Sequence, residues 1–286
     1  MLITKIIIER TKMKKYILIL FITSLPLFGE TPVITVSIPP QSYFIHRIAG
    51  DQTFDVNIMI PNGQSPAVYS PNPSQIRRMT MSAGFFLVGH PAFIFEKKHI
   101  NPYLSKQNKN TISLYNSVKN AGLSIDDSDP HIWMSPEFMK ITAIQLYDFL
   151  KEFYPEDSLS FKDNLTYLIR EIETLQTKTA KLLKEHQVKQ FIIYHPAWGY
   201  YAAEFNLEQI AIESHGHEPG PRHLSHITDH AHTHGENKIF IQRGFSQKSA
   251  EAIARETESE ILEADPLEYD WIKTLNTMTQ NLIGHL

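Results

Sequence analysis

Between Pro155 and Pro196 the chain contains neither glycine nor proline, and no other feature of the sequence narrows the fold as much. Inside that run Leu165, Leu168, Ile169, Ile172, Leu175, Leu182 and Leu183 recur at helical spacing among charged residues. The spacing predicts one amphipathic helix over 157–186, ~40 Å long at ~1.5 Å per residue. Its apolar pattern is too short for a coiled coil and lacks paired charges along its flanks. A helix of this length can tie two lobes together. With 286 residues, 42% of them hydrophobic, the chain has apolar material for two modest cores.

On both sides of that helix, short apolar strands alternate with helical stretches. VITVSI (33–38), FDVNIMI (54–60), GFFLV (84–88) and TISL (111–114) precede it; QFIIY (190–194), QIAI (209–212), KIFIQ (238–242) and EILEA (260–264) follow. Strands separated by helical segments indicate βαβ units. The expected fold class is α/β: two small lobes with mainly parallel sheets, linked by one long helix, with a cleft between them. The expected divisions are an N-terminal lobe over 30–156, the linking helix over 157–186 and a C-terminal lobe over 187–286. A stiff, proline-rich loop, PNGQSPAVYSPNP (61–73), leaves the second strand, and Asn72-Pro73 reads as an N-cap followed by proline at the first helical position.

The N-terminus has a different pattern. Lys14 and Lys15 precede an apolar run from Tyr16 to Phe28, which is the form of a cleaved signal peptide over 1–29. Residues 1–12 read as an upstream extension, because Met13 opens a compact signal by itself. The apolar run falls short of the ~20 residues needed to cross a bilayer. There is no cysteine, which excludes disulfides, thiolate metal ligands and a lipidated cysteine at the cleavage site. A formal charge of −4 without a basic stripe argues against nucleic acid as a partner.

Three residues with metal-binding donors sit where the chain leaves strands or tight turns: His131 in DSDPHIWMSP, His195 in YHPAWGYY and Asp265 in EADPLEYD. His195 follows the strand 190–194 directly, at the strand end where open α/β sheets bind ligands. Imidazole and carboxylate together suit zinc, manganese or iron. Singly, each has another reading: Asp265 as a turn former, His131 as a helix cap, His195 as a core histidine. In order and separation, however, the phrases PNGQSPAVYSPNPSQIRRM, DPHIWMSP, YHPAWGYYAAEFNLEQI, HEPGPRHL, IFIQRGFSQKSAEAIA and ADPLEYDW resemble the zinc/manganese-specific solute-binding proteins of bacterial ABC importers. The resemblance runs from about Val33 to the C-terminus. It implies that His131, His195 and Asp265 are metal ligands, with Zn2+ the expected ion and Mn2+ the alternative. It also implies a periplasmic monomer that meets the membrane only through an importer permease and its ATPase.

One position departs from the pattern. Where the family's first-lobe loop carries a histidine ligand, GQSPA (63–67) places Ala67, whose methyl coordinates nothing. His90, in VGHPAF after the third strand, is the expected replacement donor, with Gln64 and Tyr69 as weaker ones. A second departure is the cluster SHGHEPGPRHLSHITDHAHTH, in which His215, His217, His223, His226, His230, His232 and His234 form a candidate secondary metal site. If the segment from Pro221 onward is helical, His223, His226, His230 and His234 share one face; a solvated polar helix is the alternative.

The expected function is reception of a divalent transition metal for import, with only slight lobe closure because one long helix joins the lobes. Two alternatives remain open at this point: the same fold with its cleft turned to an organic ligand or metal chelate, and a metalloenzyme with two histidines and one carboxylate. No HExxH or other compact catalytic signature supports the enzyme. The lost ligand at Ala67 keeps the chelate in play.

Overall fold

The computed structural model describes residues 31–213, 219–235, 237–243 and 248–284. The expected signal peptide, His215 and His217 lie outside them. Strands and helices alternate through the first lobe: β1 (Val33–Val36), α1 (Pro39–Ala49), β2 (Asp55–Ile58), α2 (Pro73–Met81), β3 (Gly84–Leu87), α3 (Ile94–His99), α4 (Asn101–Leu104), β4 (Asn110–Ser113), α5 (Leu114–Asn120) and α6 (Pro136–Leu150). The long helix, α7, spans Ser158–Glu185. Beyond it come β5 (Gln190–Ile193), α8 (Gly199–Glu204), β6 (Glu208–Ala211), α9 (Pro221–His234), β7 (Lys238–Ile241), α10 (Lys248–Thr257), β8 (Glu260–Glu263) and α11 (Trp271–Ile283).

Among the described residues every strand pair is parallel, and the two sheets share one topology. The first is ordered β2-β1-β3-β4 and the second β6-β5-β7-β8. In such a sheet the connections from the first and third strands run to opposite sides, which opens a crevice at the carboxyl ends of β1 and β3, and again at those of β5 and β7.

Local chemistry sets the entry into α2. The Asn72 side chain accepts from Gln75 N at 3.0 Å, and Gln75 Oε1 accepts in return from Asn72 N at 2.9 Å. With Pro73 at the first helical position, two backbone donors that a helix start leaves open are satisfied or absent. Gln75 Nε2 also donates to the carbonyls of Ile58 and Met59, tying the loop after β2 to the helix.

α7 buries Phe161, Leu168, Ile172, Leu175, Thr179 and Leu183 along one face. It packs on α1 and α6 of the first lobe and on α11 of the second. Asn164 Nδ2 donates to Ile48 O at 3.0 Å, and the hydroxyls of Thr179 and Thr279 meet at 3.2 Å. A single hydrophobic core runs through both lobes, from Ile34 and Phe86 to Trp198, Phe240 and Trp271. Two indoles fasten the lobes at its centre: Trp133 Nε1 donates to Pro266 O at 2.8 Å, and Trp271 Nε1 donates to Trp133 O at 2.7 Å. Burying an aromatic side chain of this size contributes roughly 2–3 kcal/mol, and the paired N–H groups remove the penalty of burying a polar atom. A smaller core of Ile192, Ile212, Ile227, Ile239 and Ile253 lies under α9 and α10.

Candidate metal centre

His195 leaves the end of β5 and Glu213 the end of β6. The register pairs Ile193 with Ala211, so two residues later His195 and Glu213 stand side by side. Their side chains meet, Nδ1 to Oε2, at 2.7 Å. Opposite them the turn at 126–131 presents His131. Asp126 Oδ1 accepts from Ser128 N at 2.8 Å and closes the turn. Asp129 Oδ1 then accepts from both His131 N at 2.9 Å and His131 Nδ1 at 2.7 Å. Each imidazole is thus held by a carboxylate at Nδ1, which leaves Nε2 as its lone-pair atom.

Those two Nε2 atoms face each other at 3.4 Å, with the rings at 80°. A zinc ion ~2.0–2.1 Å from each of two nitrogens, at a tetrahedral angle, separates them by about 3.3–3.4 Å. Carboxylate-bound histidines are also the usual form of histidine ligands, because the second hydrogen bond sets the tautomer and the ring orientation. Burial holds the pKa of His131 below its ordinary 6.5, although Asp129 pulls it the other way. The neutral, metal-accepting form is the result.

The third expected ligand is not assembled with this pair. Asp265 is buried beyond the end of β8, and its Oδ1 accepts from Leu267 N at 2.9 Å. Burial pushes its pKa up to about 6. Its carboxylate clusters with Glu263 and Glu268, their donor atoms within 4.8 Å of one another. Among the described residues no third His, Asp or Glu joins the two histidine nitrogens within that distance.

His90 needs correction as the replacement for Ala67. Its Nε2 donates to Asp126 O at 2.9 Å and its Nδ1 accepts from Ala92 N at 3.0 Å, so both ring nitrogens are spent on the backbone. It builds the turn that carries His131 instead. Ala67 does line the cleft, a space of about 720 Å³ that it shares with Phe93, Trp133, His131, His195, Glu213 and Gln242. Glu213 and Asp129 escaped the sequence reading. Glu213 could have been found, since like His195 and Asp265 it follows directly on an apolar strand, and Asp129 precedes the Pro-His step.

The histidine-rich helix is only partly outward-facing. His223 Nε2 donates to Ala211 O at 3.1 Å, and His230 Nε2 lies 3.0 Å from Gln190 Nε2. His226, His232 and His234 are exposed, and the rings of His230 and His234, one turn apart, lie 4.3 Å from each other.

The chain has relatives of known structure. Residues 34–284 match the family described as "Zinc-uptake complex component A periplasmic". A Thermotoga maritima protein described as "Putative metal-binding protein" is 31% identical over 208 residues, covering 72% of this chain and 73% of the relative. A solved structure of ZnuA is 31% identical, with a TM-score of 0.80 over 90% of this chain and 99% of that one. The zinc-binding protein AdcA of Streptococcus pyogenes is 23% identical over 273 residues, 84% of this chain, and the chain spans about half, 51%, of that relative's length. The periplasmic zinc-binding protein TroA of Treponema pallidum shares the fold at 12% identity, with a TM-score of 0.78 over 89% of this chain and 98% of that one. The chain belongs to the family of periplasmic components of zinc-uptake complexes.

Proposed function

We propose that this protein is the extracytoplasmic receptor of an ABC importer, and that it takes a divalent transition metal, zinc first and manganese second, into the cleft between its lobes. The observation that carries the reading is the His131–His195 pair, with Nε2 atoms 3.4 Å apart and each Nδ1 held by a carboxylate. His131 comes from the first lobe and His195 from the second, so the ion bridges them. Asp265, beyond β8 in the same lobe as His195, supplies a charged oxygen when its side chain turns from Leu267 N toward the ion. The metal is cargo: family members are binding receptors, and the reading assigns no turnover. The partners are a membrane permease and its ATPase, reached after export through the signal at 1–29, and the receptor acts as a monomer.

A thermal melt of the metal-stripped protein, with and without zinc or manganese, tests this. Ligand at 100 times its dissociation constant adds ~2.7 kcal/mol to the folded state, enough to raise the midpoint by several degrees. A zinc-induced rise that disappears in His195→Ala supports the cleft site. A rise that survives the substitution moves the site elsewhere, with the exposed histidines of α9 first in line. No rise with either ion would favour the alternative in which the roomy cleft beside Ala67 takes an organic ligand or a preformed metal chelate.

A further inference from the structure

The crevice between β5 and β7 is the open one in the second lobe, and the residue that leaves β7 there is Gln242. Ile193 pairs with Phe240, so the same register two residues on sets Gln242 beside His195. Gln242 is 4% exposed and lines the cleft together with His131 and His195. Its Oε1 is fully buried and has no hydrogen-bond partner among the described residues. An amide oxygen left in that state destabilises the fold, and native chains seldom keep one without a use. Two other buried side-chain atoms among the described residues share the condition, Gln41 Nε2 and Ser117 Oγ, but neither residue lines the cleft.

The metal site, meanwhile, lacks donors. Two imidazole nitrogens face the gap, Ala67 offers a methyl, and no third His, Asp or Glu among the described residues joins the pair within 4.8 Å. Zinc takes four ligands and manganese more. Given the reading of the cleft as a divalent-metal site, we propose that Gln242 Oε1 is a direct ligand of the ion held by His131 and His195. An amide oxygen is neutral and carries no proton to lose, so its donation does not change with pH. It is also a harder donor than imidazole, and hard oxygen suits manganese better than a third nitrogen would. The site therefore separates zinc from manganese less sharply than a three-histidine site.

The test uses the metal-stripped protein with Gln242→Leu, Gln242→Glu and His195→Ala. Zinc and manganese affinities are measured by competition with a chromophoric chelator, the visible spectrum of bound Co2+ reports the donor set, and metal-free melts report stability. Gln242→Leu is expected to weaken both metals about tenfold or more, with manganese the more affected, and to change the Co2+ spectrum. Its metal-free melt stays at or above that of the parent, because a buried atom without a partner has been removed. Gln242→Glu, which keeps an oxygen, recovers the affinity. If Gln242→Leu binds both metals as the parent does while His195→Ala does not, the ligand assignment is overturned and the cleft reading stands. A Gln242→Leu chain that loses affinity and metal-free stability together, with no recovery in Gln242→Glu, makes Gln242 structural and overturns the assignment equally. If His195→Ala binds as the parent does, the cleft reading fails and the assignment fails with it.

Discussion

The two lobes carry sheets of the same strand order, each with a crevice at the carboxyl ends of its first and third strands, yet the crevices are filled in opposite ways. In the first lobe Glu96 closes it: Oε1 accepts from Ser37 Oγ beyond β1 and from Val88 N beyond β3 at 2.7 Å, and Oε2 accepts from Gly89 N at 2.8 Å. In the second lobe the equivalent strand ends present His195 and Gln242 to the cleft, and Gln242 Oε1 has no partner among the described residues. One crevice has its own carboxylate as a permanent occupant. The other has no such carboxylate, and Gln242 Oε1 stays unpaired among the described residues. A doubly wound sheet thus supplies the place for a site, and the residues one or two positions past the strands decide whether it becomes structure or binding.

The largest effect should come from breaking the closed side. Glu96→Ala strands the amides of Val88 and Gly89 and should cost about 3 kcal/mol or more in urea unfolding, against no loss for the matching change at Gln242. Burial also pushes the Glu96 carboxyl from its ordinary 4.5 up to about 7. The folded state therefore holds this proton more tightly than the unfolded chain, and stability should fall as pH rises across that window. In Glu96→Gln that part of the pH dependence should vanish.

On the open side, His195→Ala should abolish the ~2.7 kcal/mol of zinc stabilisation reached at 100 times the dissociation constant, read as a lost shift in the melt. Acid should act in the opposite sense here from its action on Glu96. His131 takes up its proton only below its ordinary 6.5, because burial opposes the charge. Metal affinity, read by chelator competition, should hold down to about 6.5 and fall below it as proton and metal compete for His131. Ala67→His should add a first-lobe donor and tighten zinc about tenfold, roughly 1.4 kcal/mol, with a smaller gain for manganese. The smallest effect concerns motion. The Trp133 and Trp271 bonds and the common core hold the lobes together, so the backbone should differ by about 1 Å or less between metal-free and zinc-loaded crystals. A hinge rotation of many degrees would show that the two crevices are mechanically independent.

Most of the architecture is legible in the sequence by itself. A strand announces itself by a short apolar run and a helix by its 3.6-residue stripe, and both depend on residues close in the chain; the strands of both sheets and α7 follow from those periods. The same local logic places His195 at a strand end and Asn72-Pro73 at a helix start. What the tertiary structure alone decides is which donors converge. His131 and His195 are 64 residues apart, and their 3.4 Å approach depends on how two lobes pack across α7 and the buried indoles. The first lobe's own fold turns His90 Nε2 onto Asp126 O, while local turns set its Nδ1 on Ala92 N and keep Asp265 with Glu263 and Glu268. Gln242 Oε1 is buried with no partner among the described residues. Periodicity is a property of neighbours along the chain, whereas a coordination shell is a property of neighbours in space.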